Sequence, residues 1–110
     1  MVVRDLLDLK ELKLLQEADL DAAISGGYMG DLLSVVMGEA EEEQLWITIQ
    51  SHVNVVAVAA LKGIPAVIIA HGYEPDEETL AKAKEEGITL LSTELDPFSI
   101  AKKLILEKGL

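Results

Sequence analysis

The chain has 110 residues, half of them hydrophobic, with 20 acidic against 9 basic side chains and a formal net charge of −11. A length of this order fits one domain and buries roughly 65% of the unfolded surface on folding. The acidic balance excludes nucleic acid and anionic membrane as partners, because both interactions run on Lys and Arg meeting phosphate.

In chain order, Met1-Val2-Val3-Arg4-Asp5 carries an acid where a signal peptide would carry a cationic stretch, so no targeting segment is read here and the expected compartment is the cytoplasm. Val3 to Leu9 reads as helical, Lys13 to Gln16 as a short strand, and Ala23 to Tyr28 as a strand interrupted by glycine. Asp31 is expected to cap a helix running to Gly38, followed by an acidic turn from Glu39 to Glu43. Leu45 to Gln50 is β-branched and aromatic and reads as a strand. Asn54 to Lys62 follows as a helix, with Asn54 as the expected N-cap and Gly63 as the stop.

Ala66 to Ala70 is a continuous apolar run after Pro65, as suits a strand buried on both faces. Asp76 opens a helix to Glu86 with acids in its first turn, and Gly87 ends it. Ile88 to Leu91 is a further short strand, and Asp96-Pro97 starts a last helix that Gly109 stops after Lys108. Strand–helix three times over predicts right-handed crossovers. The expected fold is α/β, a three-layer α/β/α sandwich with a mainly parallel central sheet, in one domain over residues 1–110.

Two of these helices are apolar nearly all round: Asn54 to Lys62, and Leu32 to Met37 apart from Ser34. A domain of three layers leaves each helix an outer face, so the pattern predicts a homo-oligomer interface over one or both. No run approaches the ~20 apolar residues needed to span a bilayer.

Parallel α/β sheets bind ligands outside the carboxyl ends of their strands. The three clear strands deliver Ser51-His52-Val53-Asn54, His71-Gly72-Tyr73-Glu74 and Ser92-Thr93-Glu94 to that edge, with both histidines of the chain in corresponding positions. A polar pocket for a small molecule there stands beside a structural alternative, in which Ser51 and Asn54 are caps and His52 bonds loop backbone. Paired His with Glu74 or Glu94 lacks a tight metal-ligand spacing, so no metal or other cofactor is assigned. Adjacent Ser51 and His52 do not make a nucleophile–base pair. Gly26-Gly27 with Gly30 lacks the Lys and hydroxyl of a phosphate-binding loop, and the absence of cysteine removes thiolate chemistry and disulfides.

Gly30-Asp31-Leu32-Leu33-Ser34 and Thr48-Ile49-Gln50-Ser51-His52-Val53-Asn54, with the later Pro75-Asp76-Glu77-Glu78-Thr79 and Leu91-Ser92-Thr93 segments, resemble the DRTGG domain family across nearly the whole chain. The five-residue string that names the family is absent. The resemblance implies a fold similar to the N-terminal domain of HPr kinase/phosphorylase. It also implies a role beside catalysis, since such domains accompany CBS domains in regulated pyrophosphatases and precede the catalytic part of some phosphate acetyltransferases. It carries Thr48, Ser51, His52 and Asn54 over as site residues; Asp31 and Ser34 match the other motif.

The expected ligand-binding set is therefore Thr48, Ser51, His52, Asn54, His71, Gly72, Ser92 and Thr93. The expected function is a non-catalytic regulatory or assembly module, oligomeric, sensing a nucleotide or another small anion, with a protein partner also open. The alternatives are a small enzyme using His52, with Asn54 or Thr93 orienting substrate, and a purely structural partner protein.

Overall fold

Fully apolar strands flanked by amphipathic helices can be satisfied only by a sheet covered on both faces, and the computed structural model, which describes residues 1–110, has that architecture. The strands are β1 (Lys13–Gln16), β2 (Gly26–Met29), β3 (Gln44–Thr48), β4 (Ala66–Ile69) and β5 (Thr89–Ser92), in the spatial order β1-β5-β4-β3-β2. From β2 to β5 all neighbours are parallel; β1 closes the far edge antiparallel to β5. The helices are α1 (Leu33–Glu39), α2 (Asn54–Lys62), α3 (Glu77–Glu86) and α4 (Pro97–Lys108), preceded by a 3-10 turn at Val3–Leu6. No helix is long and apolar enough to cross a membrane.

The alternation of strand side chains divides the core in two. Trp46, Val67, Ile69 and Leu90 point to the face covered by α1, α2 and α3, where they meet Val36, Val56, Ala59 and Ala83. Leu45, Ile47, Ile68 and Leu91 point to the opposite face, under α4 and the 3-10 turn, against Leu6, Ile100 and Leu104. The three crossovers of the parallel run thus lie on one face, and only the chain leaving β5 crosses to the other.

The α3 and α4 starts agree with the sequence reading. Asp76 accepts the Thr79 N–H at 2.9 Å, Asp96 accepts the Ser99 N–H at 3.2 Å, and Gly87 and Gly109 end the two helices in the left-handed conformation. Two other caps differ. Asp31 does not cap α1, which begins one turn-step later with Leu32 as an N-cap that makes no side-chain bond. Its carboxylate accepts the Thr48 hydroxyl and the Ile49 N–H, both at 2.9 Å. The cause is register: Met29 stands beside Ile47 in the β2–β3 pairing, so two residues on Asp31 lies beside Ile49. Asn54 is likewise the first residue of α2 and not its cap; the Asn54 N–H donates to His52 Nδ1 at 3.1 Å. An acceptor two residues upstream takes the capping role. The helix expected over Val3 to Leu9 is a 3-10 turn only.

Trp46, the only tryptophan, is fully buried and donates its indole N–H to the Gly30 carbonyl at 2.9 Å, fastening β3 to the loop that leaves β2. Trp46→Phe removes that bond and part of the core volume, and is expected to cost about 1–3 kcal/mol. Denaturant unfolding should show a lower midpoint with an unchanged slope; an unchanged midpoint would assign the indole N–H no structural weight.

Candidate functional site

The carboxyl ends of β3 and β4 feed two loops that stand apart from each other and leave an open cleft of about 490 Å³. Ile49, Gln50, Ser51 and His52 line it from the β3–α2 loop; Tyr73, Glu74 and Asp76 line it from the β4–α3 loop. The Ser51 carbonyl accepts the Thr79 hydroxyl at 3.4 Å, which ties the floor of one loop to the first turn of α3. Asp76 is held below the usual carboxylate range, first by the Thr79 N–H, then by the Thr79 hydroxyl, with the nearby His52 adding to the effect.

His52 is exposed. Because its Nδ1 accepts the Asn54 N–H, the neutral ring carries its proton on Nε2, and that nitrogen makes no hydrogen bond within the chain. Tyr73 exposes half of its surface, 52%, and lies 6.1 Å from the His71 ring, centroid to centroid, at a tilt of 47°. Glu74 is exposed and paired with Lys13 at 3.4 Å. No three His, Asp or Glu side chains converge as a metal cage would require.

The eight residues picked from the sequence fall into three groups. Ser51 and His52 line the cleft. Asn54, the first residue of α2, and His71 and Gly72, on the β4–α3 loop, do not line it. Thr48, Ser92 and Thr93 are buried. The Thr48 hydroxyl donates to Asp31 and receives the Gln50 N–H at 3.2 Å; the Thr93 hydroxyl receives the Leu95 N–H at 3.2 Å.

Chain leaving β4 and chain leaving β5 turn to opposite faces of the sheet, the arrangement that opens a crevice in doubly wound folds. Here that crevice is stitched shut. The His71 N–H donates to the Leu95 carbonyl at 2.8 Å and the Gly72 N–H to the Thr93 carbonyl at 2.9 Å. Both donors sit in the left-handed region, His71 at φ 67° and Gly72 at φ 73°. A Cβ on Gly72 would also stand 2.6 Å from Glu94 Oε2. The open cleft therefore lies one strand over, between β3 and β4. Gln50 and Tyr73 belong to it although the sequence reading left them out of the binding set; an aromatic ring just past a buried strand was the available signal.

These features define a class, an α/β sandwich with a four-strand parallel run and an open polar cleft at its carboxyl edge. Within that class, residues 29–106 match the DRTGG domain, and the chain belongs to this family. Among solved structures it is similar to the CBS and DRTGG domains of the regulatory region of Clostridium perfringens pyrophosphatase, determined in complex with its activator, diadenosine tetraphosphate. The TM-score is 0.70 at 14% sequence identity, over 92% of this chain and 44% of that one, so the chain spans less than half of the other's length and the likeness is one of fold. No curated protein sequence matches the chain.

Asp96, like Asp76, is held below the ordinary carboxylate range, first by the Ser99 hydroxyl and then by the Ser99 N–H. A carboxyl lowered in the folded state stabilises it above the unfolded value, about 3.9 for Asp, and that stabilisation disappears as pH falls through the folded value. Against a variant carrying Asp76→Asn and Asp96→Asn, the wild type should lose melting temperature more steeply below about pH 4. Parallel curves would show that the two caps contribute nothing through their charge.

Proposed function

We propose that this domain is a non-catalytic regulatory module that senses a nucleotide or a related small anion in the cleft between the β3–α2 and β4–α3 loops. One observation carries the reading: the cleft joins an exposed aromatic ring, Tyr73, to hydrogen-bonding groups of Gln50, Ser51 and His52. A flat ring beside a few polar groups is the chemistry that holds a nucleobase. Glu74 and Asp76 in the same lining repel bare phosphate, so a nucleotide carried as its magnesium complex fits better than inorganic phosphate. The regulatory region of the pyrophosphatase, similar in fold, was crystallised with a nucleotide activator, which supports the ligand class.

The enzyme alternative finds less support. His52 Nδ1 is committed to backbone, and no hydrogen bond joins Ser51 to a base. The module is further proposed to act in the cytoplasm as one domain and as a homo-oligomer, regulating a partner protein or a catalytic domain. The apolar helices leave Leu32, Val35 and Met37 of the α1 segment and Leu61 of α2 uncovered.

Thermal unfolding with magnesium complexes of adenine and guanine nucleotides, pyrophosphate and coenzyme A tests the reading. A ligand at 100-fold its Kd contributes about 2.7 kcal/mol, a shift of several degrees for a chain of this size. Tyr73→Ala should abolish the shift, and so should His52→Asn, which keeps an acceptor for the Asn54 N–H. No shift with any probe would overturn the sensing role; turnover lost in His52→Asn would replace it with catalysis.

A further inference from the structure

The two edges of the sheet are treated differently. β1 carries Lys13 and a register slip between Leu14 and Gln16, and is bordered by Glu11 and Glu17. Charge and irregularity of this kind keep an edge from pairing with another chain. The opposite edge, β2, has β3 on one side and no strand on the other. Its sequence is Gly-Gly-Tyr-Met, in even parallel register, with no charge and no proline. From Gly26 to Gly38 the only charged residue is Asp31, whose carboxylate is occupied by Thr48 and Ile49.

The chain just before β2 already makes one antiparallel bridge. Just before β2, Val2 bridges Ala23 antiparallel, and the Ile24 N–H donates to the Met1 carbonyl at 2.8 Å while the next N–H, Ser25, turns to Glu43 at 2.8 Å. Pairing on the outer side stops there, and Gly26–Met29 is left open.

Apolar side chains flank the open strand on both faces. A groove of about 250 Å³ runs between β2 and α4, lined by Met29, Ala101 and Ile105 among others. It continues over Ala101 and Ile105 to Phe98 and Leu106, exposed by 74% and 72%. On the other face α1 exposes Val35 and Met37. Met29, Val35, Met37, Phe98, Ile105 and Leu106 make up half of the twelve large apolar side chains left exposed. A stable interface takes about 800 Å² from each partner, and these side chains with the bare strand are the surface that would supply it.

We infer that β2 is the dimerisation edge: two copies pair β2 to β2 antiparallel about a two-fold axis, giving one continuous ten-strand sheet, with α1 meeting α1 and α4 meeting α4 across the join. A second copy is the fitting occupant because of charge. Two chains of −11 repel each other, and the repulsion is least where the facing surfaces carry the fewest carboxylates. The two segments that flank the open strand, Gly26 to Gly38 and Phe98 to Leu106, hold one carboxylate, Asp31, which is bonded within the chain, and two cations, Lys102 and Lys103. A two-fold axis also makes antiparallel pairing self-complementary and closed. The inference deepens the oligomer part of the proposed function and moves its centre from the α1 and α2 surfaces to the β2 edge; it is independent of the cleft.

Sedimentation of the full chain across micromolar concentrations should show a species of twice the 11.9 kDa chain mass, tightened by added salt as self-repulsion is screened. Met29→Lys and Ile105→Lys, both at exposed positions, should each weaken the dimer by at least about tenfold. Leu61→Lys, on α2 and 75% exposed, should leave it within about twofold. On the wild type alone, hydrogen exchange at β2 amides should slow as concentration rises, so the test survives even if a lysine variant fails to fold. A monomeric wild type would overturn both the oligomer and this surface. A dimer indifferent to Met29→Lys and Ile105→Lys, or one lost with Leu61→Lys, would overturn the surface and leave the oligomer standing.

Discussion

A parallel strand must bury both of its faces, and most of this structure follows from that constraint. β3, β4 and β5 are apolar on both sides, so helices are needed above and below, and each crossover must be long enough to carry one. Right-handed connection then places α1, α2 and α3 on one face and delivers every strand–helix loop to the same edge. The polar loop residues that follow β3, β4 and β5 gather there for that reason.

The same constraint explains what could be read from the sequence. β4 was legible as Ala66 to Ala70 because a strand buried on both faces needs no alternation, only an apolar run between Pro65 and a glycine turn. α3 and α4 were legible because Asp76 and Asp96 bond N–H groups three residues away, a contact local enough for spacing to reveal. Asp31 looks the same in sequence and does something else, since its partners are 17 and 18 residues away and depend on β2 lying beside β3 in one register. Propensity cannot see a neighbour supplied by the sheet.

The site shows the same division. Sequence placed Ser51, His52, His71, Ser92 and Thr93 at one edge, and they are at that edge. Which of them face solvent was decided by backbone hydrogen bonds between the β4 and β5 loops, and those have no side-chain signature beyond a glycine at position 72. Ser92 is inside as the last residue of β5, between β4 and β1, and Thr93 is inside where the β4 and β5 loops are sewn together. Gln50 and Tyr73 went outside because the β3 and β4 loops were not.

Asp31 also sets the distance between the cleft and the β2 edge. Its carboxylate holds the end of β3, and its carbonyl accepts the Gln50 side-chain N–H at 3.1 Å. Gln50 lines the cleft, while Asp31 is two residues from Met29 at the open edge. A ligand that draws the Gln50 amide into the cleft must first break its bond to Asp31, which removes one of the restraints fixing the β2–α1 junction. Contiguity of this kind is not coupling by itself, because coupling requires the two partners to favour different arrangements. Where they do, linkage makes the effect reciprocal: a junction held more firmly by a second copy would keep Gln50 out of the cleft and weaken the ligand by the factor that the ligand weakens the pair. One amide shared between two surfaces is the shortest form that such an exchange can take.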